Sequence, residues 1–78
     1  MTADALRTAH QTRPFRPFII FMGDGTQHRV THPELLSMSQ NGRIAIVHGA
    51  GETFSVLDLL LMTEIRIASD AATTNSAS

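Results

Sequence analysis

Five consecutive apolar residues, Phe18-Ile19-Ile20-Phe21-Met22, run from Pro17 into Gly23-Asp24-Gly25. No other stretch limits the fold of this chain as strongly. Apolar at every position and closed by a turn signal, it predicts a strand that opens a hairpin, with Asp24-Gly25 suited to a two-residue type I′ turn. Pro14 and Pro17 end any helix ahead of it and hold the chain extended. They also lack backbone donors, which suits a sheet edge or the first residue of a strand. With a two-residue turn, Phe21 faces His28 and Ile19 faces Val30 on one side. Phe18, Ile20 and Met22 then share the other side with Gln27, Arg29 and Thr31. The first strand is apolar on both faces, so its second face requires a cover. An N-terminal helix or a second molecule could supply one.

A similar pattern returns at residues 44–56, IAIVHGAGETFSV, which align with residues 18–30 at an offset of 26 and superimpose Gly49 and Gly51 on Gly23 and Gly25. Shared hairpin chemistry explains this more simply than duplication. Between the hairpins, Thr31-His32-Pro33-Glu34 fits a capping box for one helical turn. Alternatively, His32 is the cap and Pro33 takes its favoured first position. Asn41-Gly42 then turns into a strand at 43–48, and Asp58 can cap a further single turn. A last strand at 61–67 carries Leu61, Ile65 and Ile67 on one side. The local rival is one continuous helix over 57–67, because Leu57, Leu60, Leu61 and Glu64 fall at helical spacing.

Ahead of the prolines, residues 2–11 form a short helix with Thr2 as cap, Asp4 in the first turn and only Leu6 as a large apolar anchor. Ten residues cannot hold a helix alone, so it must dock. The expected domain plan is an N-terminal helix or arm at 1–12, a small β domain at 13–67 and a disordered tail at 68–78, which contains no large apolar residue. The fold class is mainly β (α+β): a short helix, then a five-stranded antiparallel meander with strands near 18–22, 26–31, 43–48, 53–56 and 61–67. Rolling such a sheet into a small SH3-like or Sm-like barrel removes its open edges.

The combination Pro14-Phe15-Arg16-Pro17-Phe18, Asp24-Gly25, Val30 with His32-Pro33-Glu34, and Ile65-x-Ile67 resembles a group of short, uncharacterised bacterial proteins of planctomycete type. The match spans roughly residues 12–67. It departs at the end, where Ile67-Ala68-Ser69 stands in place of an Ile-Glu-Pro-like run. The resemblance implies the same small domain and no known activity.

Composition narrows function by exclusion. The 78 residues allow one domain with a thin stability margin. Net charge is −1, which argues against nucleic acid and anionic membrane as partners. All six cations are arginines. Without cysteine there is no disulfide framework and no thiolate chemistry. With no signal-peptide pattern and no membrane-spanning run, a cytoplasmic location is expected. Pro14-x-x-Pro17 has polyproline-ligand spacing, but guiding the chain into the first strand is the simpler role. Gly23-x-Gly25 and Gly49-x-Gly51 lack the third glycine and following helix of a phosphate cradle.

The four histidines, at 10, 28, 32 and 48, have no zinc-ligand spacing, so no metal and no cofactor is expected. His28 is the one expected to be half-buried. Serines lie outside any nucleophile elbow. The expected function is therefore a small non-enzymatic interaction module, self-associating as a homodimer through Phe18, Leu60 and Met62, since Leu59-Leu60-Leu61-Met62 cannot all face one core. One alternative is Sm-like RNA binding, for which Arg7, Arg13 and Arg16 give the N-terminal segment a local +2 against Asp4. A second is a small-ligand or metal-dependent site at an oligomer interface around His32 and Glu34, with Arg16 a further candidate.

Overall fold

The computed structural model describes residues 3–67. The expected cap at Thr2 and the tail at 68–78 lie outside the described residues. Within them the predicted strand forms as β1, Phe18–Met22, with alternate residues buried. It pairs with β2, Gln27–Val30, but not in the expected register. The Met22 amide donates to Thr26 O and the Gly25 amide to Met22 O, each at 3.0 Å. Gly25 sits at φ +91°, so the loop has three residues, a turn followed by a left-handed glycine, instead of two. One extra loop residue shifts the pairing by one and exchanges the faces. Phe18 now faces Val30 and Ile20 faces His28. Phe18, Ile20 and Met22 enter the core, and Ile19 and Phe21 turn to the other side with Gln27 and Arg29.

After β2, Pro33–Leu35 makes one 3-10 turn, with His32 as the flanking residue and Pro33 at the first position. His32 makes no side-chain cap, so the proline-first alternative is the one adopted and the capping box is not. A strand the sequence reading missed follows: β3, Leu36–Met38. At three residues behind a proline turn, it carries too little alternation to be seen. β4, Ile44–His48, pairs with β3 on one side and with β5, Phe54–Asp58, on the other. The β4–β5 turn bonds Thr53 N–H to Ala50 O, with Gly51 at φ +66° in its second position. Gly51 and Gly25 therefore do different work, and the two hairpins are not structurally equivalent.

Residues 57–67 are not one helix. Asp58 Oδ1 accepts the Leu60 amide at 3.0 Å, capping a 3-10 turn at Leu59–Leu61 as expected, and β6, Met62–Ile67, runs on from it. β6 returns beside β1, with an irregularity between Phe21 and Met22 that skips Thr63. This bulge changes the phase of β6, so Met62, not Leu61, joins Ile65 on the inner face.

Among the described residues, the architecture is one short helix and six strands in two antiparallel sheets, ordered β2-β1-β6 and β3-β4-β5. The sheets do not close into a barrel, and the strands number six where five were expected. The core between them is built from Phe18, Ile20, Met22, Val30, Leu36, Ala45, Val47, Leu57, Leu59 and Met62. Helix α1, Ala3–Gln11, completes it with Leu6 and Ala9, three apart on one helical face. Arg7 donates to Ser39 O at 3.3 Å, and His10 Nε2 donates to Pro33 O at 2.8 Å. The helix thus docks as required, but on the core side. The outer face of β1 is covered instead by long side chains: the Arg66 guanidinium lies 4.9 Å from the Phe21 ring centroid.

Candidate functional site

The six residues singled out from sequence separate into four places. Phe18 and Met62, expected at a contact between two chains, are 1% and 4% exposed and belong to the core of a single chain. Register shift and bulge put them there. An aspartate at Met62 would bury an unpaired carboxylate, so that position reports on folding and not on association. Leu60 is 70% exposed. His32 and Glu34 are both exposed on the rim of the first 3-10 turn. His32 Nδ1 lies 3.2 Å from Thr31 Oγ1. Arg16 lines a groove in the turn between α1 and β1, together with Arg13, Pro14 and Ile67.

The histidines stay apart. His10 ties α1 to the proline turn. His48 lies at the end of β4, with its ring 6.2 Å from that of Phe54. His28 is half-buried as expected, though its neighbours across the sheet and on its face are Ile20, Phe18 and Val30 rather than Ile19 and Phe21. Among the described residues, no three His, Cys, Asp or Glu side chains converge on a point that could hold a metal.

One grouping was not foreseen. Asp24, Thr26, His28, Ser55 and Asp58 line a single shallow groove between the first hairpin and β5, with Val56 and Leu61 at its apolar side. These are the residue types of an acid–base or nucleophilic site. Their hydrogen bonds point elsewhere. Asp24 Oδ1 accepts the Thr26 amide at 2.9 Å and its hydroxyl at 2.7 Å, which together hold the carboxyl below its usual range. Asp58 is engaged in capping Leu60. Among the described residues, no hydrogen bond joins Ser55, His28 and a carboxylate into a relay, so they lack the geometry of an activated nucleophile. Because its members come from β1–β2 and β5, sequence spacing holds no sign of it.

A second feature reaches across the β3-β4-β5 sheet. Its outer face carries Ile44 and Ile46 from β4 beside Phe54 and Val56 from β5, with Ile46 directly opposite Val56. Phe54 and Val56 are 61% and 60% exposed. β5 is an edge strand, hydrogen-bonded to β4 alone. The polar residues on this face within β4 and β5 are Asp58, opposite Ile44, and His48, opposite Phe54. Sequence alternation in both strands was visible, but which face would be left uncovered depended on the second sheet.

No family model, curated protein or solved structure matches this chain. Among the described residues, no helix is long and apolar enough to cross a membrane.

Proposed function

We propose that this protein is a non-enzymatic interaction module that self-associates as a homodimer through the outer face of the β3-β4-β5 sheet. The carrying observation is the apolar face itself: Ile44, Ile46, Phe54 and Val56 side by side, continuing past Val56 to Leu61 along the neighbouring groove. Phe54 alone leaves roughly 100 Å² of its surface uncovered. Contiguous apolar patches of several hundred Å² mark association surfaces. Residues 68–78, ASDAATTNSAS, contain no large apolar side chain that could cover it. A second copy brings a surface of matching apolar character, and a two-fold arrangement closes on itself without leaving a free end.

The connectivity favours an SH3-like, Sm-type plan for the module. A helix leads into a hairpin, a three-stranded meander, a 3-10 turn and a last strand that returns beside the first. On this plan β2 and β3 are two halves of one bent strand, interrupted by the turn at Pro33.

Light scattering at tens of micromolar tests the association. A dimer is expected, and Val56→Asp, at an exposed position, should convert it to a folded monomer with an unchanged circular dichroism spectrum. A wild-type monomer across that range, or a Val56→Asp dimer as stable as wild type, overturns the proposed interface.

A further inference from the structure

Two shallow grooves meet at Ile67, at the end of the molecule where the chain enters β1 and leaves β6. One, of about 320 Å³, is lined by Arg13, Pro14 and Arg16 with Ala9 and Thr12 of the helix end. The other, of about 500 Å³, is lined by Pro17, Phe18, Ile19, Arg29, Thr31 and Arg66. Four of the six arginines therefore surround Ile67, and among the described residues no acidic side chain lines either groove. The sheet register produces this. Ile19 pairs with Arg29 on one neighbouring strand and with Arg66 on the other, so an Arg29–Ile19–Arg66 row crosses the outer face of the β2-β1-β6 sheet.

These arginines are not equivalent. Arg66 is held by Glu64 at 3.0 Å and by the Phe21 ring. Arg13 Nη1 is turned onto the carbonyls of His10 and Thr12, both at 2.9 Å. Arg16 and Arg29 have no hydrogen bond or ion pair among the described residues. Among the described residues, four arginines against Glu64 leave a local balance of +3, in a chain whose net charge is −1. The charge is concentrated here by the fold.

We infer that the paired grooves bind an acidic, extended peptide segment. Guanidinium forks match carboxylates bidentately, and Arg16 and Arg29 are free to do so. The floor between them is apolar, made of Pro17, Ile19 and Ile67, and suits an aliphatic side chain. Arg29 and Arg66 sit two strand spacings apart, about 10 Å, which is the reach of about three residues of extended chain. Nucleic acid fits less well, because single-strand binding relies on exposed rings for base stacking. Here the Phe18 ring is buried, Phe21 lies under Arg66, and Phe15 packs on Phe18 with centroids 5.7 Å apart. This surface and the proposed dimer face are on different sheets, so either can fail alone.

The test is an amide chemical-shift titration of the full chain with a blocked Glu-Leu-Val-Glu peptide, its Gln-Leu-Val-Gln counterpart, and a short oligouridylate. The acidic peptide should move the amide resonances of Arg13, Phe15, Arg16, Phe18, Ile19, residues 29–31 and residues 66–67, and bind more weakly as salt rises from about 50 to about 300 mM. Arg29→Gln should weaken it roughly threefold and the Arg16→Gln, Arg29→Gln pair roughly tenfold, as expected for exposed ion pairs. No shifts at millimolar acidic peptide, or equal binding of the glutamine peptide, overturns the inference. Saturation by oligouridylate at lower concentration than by the peptide also overturns it, and assigns the grooves to nucleic acid.

Discussion

Adjacent residues of this chain meet opposite fates. Leu60 projects outward while Met62, two positions on, is buried, because a capped turn and a bulge fall within five residues. Asp24 shows how a single side chain sets such local geometry. Its carboxylate accepts the Thr26 hydroxyl first and the Thr26 amide second, and both favour the ionised form. A depressed folded pKa contributes stability that is present above the unfolded value of 3.8 and is lost as pH falls through the lower folded value. The hairpin should therefore be fully supported at neutral pH and weaken only in acid below 3.8. An NMR titration of Asp24 should give a midpoint below 3.8, and Thr26→Val should raise it toward that value. A wild-type midpoint at or above 3.8 would show that the Thr26 contacts are absent in solution.

At the scale of elements, the question is how a nine-residue helix stays in place. Leu6 and Ala9 supply the apolar contact, while Arg7 and His10 tie it to the β3–β4 turn and to the proline turn. The approach at its N-terminal end depends on Gly42. Gly42 has φ +73°, and a Cβ there would lie 2.9 Å from the Ala3 Cβ. Gly42→Ala should cost about 1–2 kcal/mol from the left-handed backbone alone and additionally push α1 away. Gly25→Ala is the control: φ is +91°, but nothing lies within 4 Å of the added methyl. Hydrogen exchange should quicken across α1 in Gly42→Ala and not in Gly25→Ala. Equal exchange in the two variants would mean the helix does not rest on this turn.

For the whole molecule, the division of labour between the two sheets is the main result. Both contribute one face to the same core, and their outer faces differ in kind: arginine-rich on β2-β1-β6, apolar on β3-β4-β5. A chain of this size has little stability to spare, so burying the apolar face between two copies should stabilise the fold by mass action. The melting temperature of wild type should rise by roughly several degrees for each tenfold increase in concentration. That of Val56→Asp should not change. A concentration-independent melt for wild type would contradict folding coupled to dimerisation.

Much of this fold was open to reading in the residues themselves. Helix, prolines, first strand, glycine turns and the Asp58 cap are local matters, decided within a few residues by sterics, missing donors and short-range hydrogen bonds. Hence the helix at 3–11 and the strands at 18–22, 44–48 and 62–67 lie close to where the chain signals them. What depended on one residue of loop length or one bulge was not legible. A three-residue loop in place of two exchanged the faces of β1, and the skip at Thr63 sent Met62 inward. Both turned expected surface residues into core. The short β3 became a strand because β4 was there to pair with it, and the row of Arg29, Ile19 and Arg66 required three strands from distant parts of the chain. Periodicity tells a strand that it has two faces; which face is buried, and what stands beside the other, is settled by partners that the local sequence does not contain.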